Sequence, residues 1–211
     1  MVVAVSIENA HEYGDIIPSI YRLRHQAFQV RQSYDVPFYK GMEYDVYDTP
    51  ATTYLACRDE SGVVRGCTRL FPTTRPYMIE NLWPNAVTSM SLPHAEDIWE
   101  CSRFCIDKNQ SVHIRRKIHG ELLTAFLEFG LENNISWMIG VMTPPIWKAV
   151  FIRSGWPIEF LGPIHQLNER EGILVGKIDI NKKILTSVRE KFGVQGSVFE
   201  ENNAKQERKR A

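Results

Sequence analysis

The sequence predicts a mixed α/β (α+β) fold: a mostly antiparallel central sheet covered by helices. Three observations carry this: an early hairpin pattern, two strand-to-helix passages after it, and an amphipathic helix ahead of both. A chain of 211 residues can bury one substantial core, and no internal repeat or linker-like stretch divides it. We therefore expect a single domain over residues 1–195. Residues 196–211, ending in the polar run Asn202 to Arg210, are expected to form a mobile tail.

Each element follows from its local pattern. Ile16, Ile20, Leu23, Ala27 and Phe28 recur at three- and four-residue steps, which predicts a helix from Asp15 to about Arg31 with one buried face. Between Gln32 and Pro50 the period disappears, and a loop of this length inside a compact domain is usually functional or disordered. Thr53 to Arg58 and Val63 to Phe71 flank Asp59-Glu60-Ser61-Gly62 and read as a hairpin. Asp97 to Asp107 reads as a strand and His113 to Glu132 as an amphipathic helix. Ser136 to Met142 is a second short strand, and Pro144-Pro145 opens a helix that Gly155 ends. Glu171 to Ile180 alternates as a strand, and Asn181 caps a last helix through Phe192.

Composition excludes several classes. With 25 basic and 25 acidic residues, no global field draws the chain to nucleic acid or to an anionic membrane. Cys57, Cys67, Cys101 and Cys105 form no Cys-x-x-Cys and have no histidine at metal-ligand spacing, so they read as reduced core thiols rather than a metal site. No stretch approaches the length of a membrane span and no signal-peptide pattern opens the chain, which points to the cytoplasm.

Charged side chains interrupt segments otherwise suited to burial. These are Arg24-x-x-x-Phe28, Gly41-Met42-Glu43-Tyr44-Asp45-x-x-Asp48, Arg69-Leu70 and Glu100-Cys101-Ser102-Arg103-Phe104. In order and spacing they resemble the acyl-homoserine-lactone synthases, the bacterial quorum-sensing autoinducer synthases, from about residue 20 to 160. That family's pattern is an arginine, a phenylalanine and a tryptophan near the N-terminus, two aspartates three apart, an arginine, and Glu-x-x-Arg. This chain matches every element except the tryptophan, where Tyr34 offers a smaller flat ring and a hydroxyl in place of the indole N–H.

The resemblance implies the N-acetyltransferase-superfamily fold and an acyltransferase without a prosthetic group. Its substrates would be S-adenosylmethionine and an acyl thioester on acyl carrier protein or coenzyme A. Its products would be an acylated homoserine lactone, methylthioadenosine and a free thiol carrier. Glu100 would be the base that frees the α-amine for attack. Arg24, Phe28, Tyr34, Asp45, Asp48, Arg69, Ser102, Arg103 and Phe104 would bind the substrate, arginines holding its carboxylate and aspartates its cationic end. Strict strand alternation sets Glu100 and Ser102 on one side and Arg103 on the other, so a β-bulge is expected near Cys101 to Arg103. Such a bulge would also free backbone N–H groups to stabilise the thioester oxygen.

Leu123, Leu127, Met138, Val141, Met142, Thr143 and Trp147 are candidates for the acyl pocket. In relatives that make 3-oxo products a threonine contacts the acyl chain. Val141 falls at that position by spacing, with Thr143 two residues on, so 3-oxo substitution stays open. The Arg/Gln-x-x-Gly-x-Gly/Ala phosphate motif of coenzyme-A-dependent members is replaced by Ile114-Arg115-Arg116-Lys117-Ile118-His119-Gly120, which favours acyl carrier protein. Arg115, Arg116, Lys117, Lys148 and Arg153 are the candidate carrier-binding cations. Two other readings are an N-acetyltransferase acting on a different amine with acetyl-coenzyme A, and a non-catalytic carrier-binding or sensor module.

Overall fold

A computed structural model describes residues 1–169 and 171–200. It contains ten strands and five α-helices among the described residues. The strands are β1 (Val2–Val5), β2 (Phe38–Tyr39), β3 (Met42–Glu43), β4 (Thr53–Arg58), β5 (Val64–Pro72), β6 (Ile98–Ile106), β7 (Trp137–Met142), β8 (Glu159–Phe160), β9 (His165–Gln166) and β10 (Gly172–Asp179). The helices are α1 (Ile16–Arg24), α2 (Met78–Leu82), α3 (Val112–Glu132), α4 (Pro144–Val150) and α5 (Lys182–Phe192).

The main sheet runs β1-β4-β5-β6-β7-β10-β8, and every pairing in it is antiparallel except β6 with β7. That parallel pair places two strand ends side by side. It covers only Ile98–Cys101 against Trp137–Gly140, after which β6 runs on to Ile106 beside β5 and β7 to Met142 beside β10 without further pairing to each other. The result is a wedge-shaped opening in the middle of the sheet.

Alternation along the strands sorts side chains onto two faces. Leu55, Leu70, Cys101, Met138 and Ile178 pack with α3, α5 and the aromatic rings of α4. Val5, Tyr54, Ala56, Cys67 and Cys105 pack with α1, while Phe71, Ile139 and Val175 pack with Tyr77 and Ile79 at the start of α2. The helices anchor by their caps: Asn181 Oδ1 accepts Ile184 N–H at 2.9 Å, and Ser111 Oγ accepts Ile114 N–H.

The differences from expectation have physical causes. The first helix changes after Arg24 to a π-helical segment, His25–Arg31, which keeps Ala27 and Phe28 on the same buried face. The loop from Gln32 to Pro50 contains the small β2-β3 hairpin, turned by Lys40 (φ 48°) and Gly41 (φ 72°). Residues 196–200 are held rather than free. Val2 N–H donates to Val198 O at 2.9 Å, Glu200 N–H donates to Val2 O at 3.0 Å, and Glu200 pairs with Arg58. The remainder of the expected tail, 201–211, lies outside the described residues.

The expected bulge is present. Cys67 pairs with Cys105 but Arg69 pairs with Ser102, so β6 carries one extra residue, and that residue is Arg103 at φ 57°. Its side chain thereby joins Glu100 and Ser102 on the α1 face, and Phe104 moves to the α3 face against Phe151 and His119.

Candidate active site

Three arginines and three carboxylates from four separate segments interlock beside the wedge. Arg24, on α1, binds Asp48 through both terminal nitrogens at 2.6 and 2.8 Å and points Nε at Glu43. Arg69, on β5, donates to Ser102 Oγ at 3.0 Å and binds Asp45, with Asp48 at 3.2 Å. Arg103 donates to Glu43 at 3.0 Å and to Asp45 at 2.7 Å. Tyr54 OH and the Asp45 backbone N–H also donate to Asp48, at 2.6 and 2.8 Å.

Burial makes this mutual neutralisation necessary. Arg24, Glu43 and Arg69 are fully buried, and an unpaired charge there would be strongly disfavoured. Burial pushes the Asp48 carboxyl up, but Arg24 and Arg69 more than reverse this and hold it well below the ordinary carboxylate range. Arg103 and Asp45 are the members that keep some exposure, their side chains being 14% and 9% accessible. They form the surface of the network that an incoming molecule can touch.

Glu100 stands apart from the ion pairs. Its carboxylate accepts Ile79 N–H at 2.7 Å and Met78 N–H at 3.2 Å, at the start of α2. Burial pushes its pKa up to about 7, against the opposing pull of those N–H groups and of Arg69 and Arg103. A carboxylate poised near neutrality at the fork of the sheet is suited to proton transfer.

An aromatic stack closes one side. The Arg103 guanidinium lies over the Phe28 ring at 5.5 Å, and Tyr34 stacks on Phe28 at 14° with centroids 6.4 Å apart. Burial, together with the Glu171 carboxylate, raises the Tyr34 phenol above its ordinary range.

The structure thus gathers Arg24, Phe28, Tyr34, Asp45, Asp48, Arg69, Glu100, Ser102 and Arg103, and sets Phe104 on the opposite face. Glu43, Tyr54 and Met78 belong to the same cluster but are not singled out by sequence reasoning. Met78 Sδ receives Arg69 and Arg103 N–H contacts at 3.7 and 3.5 Å. The carboxylate of Glu43 was visible only as one acid in a polar loop, with no period to mark it as buried.

The acyl-pocket candidates divide. Leu123, Leu127, Met138, Met142 and Trp147 belong to the α3-face core, whereas Val141 packs on the α1/α2 side and Thr143 lies just before α4. Past the fork, a cavity of about 890 Å³ opens among β6, α4 and the ends of α3 and α5. Arg31, Lys108, Arg115, Arg116, Arg153 and Lys191 line it, and among the described residues no acidic side chain does. Of the five expected carrier-binding cations, Arg115, Arg116 and Arg153 are on this wall. Lys148 is exposed away from it, and Lys117 pairs with Glu121 at 3.8 Å.

Against known proteins, the autoinducer synthase family profile matches residues 9–188. The chain belongs to that family. An acyl-homoserine-lactone synthase of Aeromonas salmonicida is 31% identical over 155 residues, covering 72% of this chain and 74% of that protein. The isovaleryl-homoserine lactone synthase of Bradyrhizobium diazoefficiens is 30% identical over 203 residues, 94% of this chain and 88% of its own length. Among solved structures, a CoA-dependent acyl-homoserine lactone synthase, BjaI, with SAM and isopentyl-CoA, aligns with a TM-score of 0.85 at 26% identity, covering 96% of this chain and 93% of that one. The fold itself extends to an N-acetyltransferase from Lactobacillus plantarum at a TM-score of 0.54, with 14% identity over 86% of this chain and 98% of that one. Among the described residues no helix is long and apolar enough to cross a membrane, and no three His, Cys, Asp or Glu side chains are grouped to hold a metal ion.

Proposed function

We propose that the chain is an acyl-homoserine-lactone synthase that transfers an acyl group from a thioester to the amine of S-adenosylmethionine and closes the product to a lactone. The observation that carries this reading is the pairing of one carboxylate near neutrality, Glu100, with a charge-balanced arginine–carboxylate network at the fork of the sheet. A zwitterionic, cationic substrate needs both signs presented at once. Arg103 and Asp45 offer them at the accessible edge, while Arg24, Glu43, Asp48 and Arg69 fix their positions.

Glu100, directly or through one water, takes a proton from the α-ammonium, and the nitrogen lone pair attacks the thioester carbonyl. The N–C bond forms, and the C–S bond breaks as the carrier leaves as a thiolate that takes up the second proton shed by the nitrogen on its way to the amide. Backbone N–H groups of the β6 edge, which loses β7 as a partner after Cys101, hold the oxyanion. In lactone closure a carboxylate oxygen attacks the substrate's γ-carbon, and the sulfonium C–S bond breaks to release neutral methylthioadenosine. This step needs alignment rather than a strong acid. In this reading the Phe28–Tyr34 stack, with rings 14° apart in plane, covers the adenine.

Acyl carrier protein is the donor we favour, since the cationic mouth at Arg115, Arg116 and Arg153 complements an acidic partner and the glycine-rich phosphate motif is missing from α3. A free acyl-CoA is the second reading, because the same cations line a concave cavity and BjaI is CoA-dependent. With S-adenosylmethionine as substrate, the proposed place of action is the cytoplasm.

The test is to incubate purified protein with labelled S-adenosylmethionine and acyl donors of varied length on both carriers, then identify products by mass spectrometry. Acyl-homoserine lactone and methylthioadenosine are expected in equal amounts. Absence of methylthioadenosine with every donor overturns the proposal.

A further inference from the structure

The α3 face of the fork is filled by aromatic rings. Phe126, Trp147, Phe151 and Trp156 are all fully buried, with ring centroids 5.4 to 6.1 Å apart in a chain of edge-to-face and tilted contacts. Trp147 has the most specific seat. Gly140 on β7 and Gly176 on β10 are paired directly across the two strands, so the sheet lacks two side chains at one spot. A Cβ on Gly176 would lie 2.9 Å from Trp147 Cζ2 and 3.0 Å from Cη2, and one on Gly140 would lie 3.3 Å from Cη2. The indole occupies the space those glycines leave, and its Nε1–H donates to Leu174 O at 2.9 Å.

This seat lies at the bottom of the wedge. Cys101 and Gly140 are the last pair before β6 and β7 separate, and a Cβ on Gly140 would lie 2.9 Å from Cys101 Sγ. Glu100 and Cys101 are consecutive, so a thioester carbonyl held in the fork has the base on one face and its acyl chain directed to the other. Phe104 and Ile146 line the cationic cavity, and Trp147, the next residue of α4 after Ile146, is fully buried.

We infer that Trp147, seated on the Gly140–Gly176 pair, is the stop that restricts the donor to short acyl chains. The inference rests on the synthase reading above and adds to it the class of acyl group. A long flexible chain would have to displace a ring held by packing and by a hydrogen bond, whereas a short or branched one ends before it.

The experiment measures kcat/KM through methylthioadenosine release, using butanoyl, hexanoyl, octanoyl and dodecanoyl donors on both acyl carrier protein and coenzyme A, for the native protein and for Trp147→Leu and Trp147→Ala. The native protein is expected to lose about tenfold or more for each methylene past the stop. In the variants the octanoyl-to-butanoyl ratio is expected to rise at least tenfold, a change that loss of core packing alone would not produce. A flat native length profile, with dodecanoyl used as readily as butanoyl, overturns the inference while leaving the synthase reading intact, and it decides the matter even if neither variant folds. An unchanged ratio in a variant with native circular dichroism also overturns it. No methylthioadenosine from any donor sinks the synthase reading itself, and this inference with it.

Discussion

Glu100 accepts the backbone N–H of Ile79 at 2.7 Å, and among the described residues no arginine comes within ion-pairing distance of it. A sheet-stabilising ion pair with Arg69 or Arg103, the plain alternative for a buried glutamate, is therefore not what is built. The arginines spend their donors on Glu43, Asp45, Asp48 and Ser102 instead, and Glu100 is left with two backbone donors and a pKa near 7.

Acylation should follow the ionisation of Glu100. The base must be deprotonated, so kcat/KM is expected to rise with pH through about 7 and then level off. Glu100→Gln should lower acylation by about 10²- to 10⁴-fold and remove that rising limb, leaving only the titration of the substrate amine. A variant with native rate and an unchanged profile would show that Glu100 is not the base.

The same residue should leave a signature in stability. Its folded pKa lies above the unfolded value of 4.5, so the folded state favours the protonated form. Glu100 therefore stabilises the fold below about pH 4.5 relative to high pH, and that contribution is lost as pH rises to about 7. Glu100→Gln, which cannot ionise, should gain stability over the native protein at pH 8 and gain little at pH 4.5. Urea denaturation at the two pH values measures the difference.

Removing Arg24 should damage the fold more than its single position suggests. Arg24→Ala strips Glu43 and Asp48 of their shared partner in a dry site, and a loss of about 3–5 kcal/mol is expected from chemical denaturation. Arg103→Ala, at the more exposed edge of the network, should cost less stability and more activity. The opposite ranking would mean that the network is not divided in this way.

Tyr34 should act as a ring, not as a hydroxyl. Tyr34→Ala loses the stack on Phe28 and is expected to raise KM for S-adenosylmethionine about two- to tenfold. Tyr34→Trp should stay close to native, and Tyr34→Phe should do the same. A large defect in the phenylalanine variant would assign the work to the hydroxyl instead.

Charge reversal at the mouth should be a donor effect. Arg115→Glu combined with Arg153→Glu is expected to lower kcat/KM for the acyl donor about tenfold at low salt, and less at high salt, with KM for S-adenosylmethionine unchanged. Comparing the loss between the two carriers identifies which one the mouth serves.

Much of this was legible in the sequence because local chemistry and tertiary role agree there. Asn181 caps α5, as its type predicts, and Gly155, at φ 83°, ends the 3-10 turn Ile152–Ser154 that follows α4, which itself stops at Val150. The bulge at Arg103 was reached by a conflict, since an alternating strand could not bring Glu100 and Arg103 to one side. What was missed had no local signal. The short α2 follows Pro76 with five residues, too few to show a period, and β1 is the nearly all-buried run Val2–Val5, which does not alternate. Glu43 is one acid among several in a loop, and only its enclosure by Arg24 and Arg103 sets it apart.

One inserted residue, Arg103, reverses the parity of β6, so residues before and after it answer to different neighbours. The strand therefore acts as a partition with a tenant on each side. Substitutions around Trp147, Phe151 and Met142 alter one room without reaching the ion-paired furniture of the other. On the proposed reading a lineage could thereby change the acyl tail of its product while recognition of the head group, on the far side of the wall, stays constant.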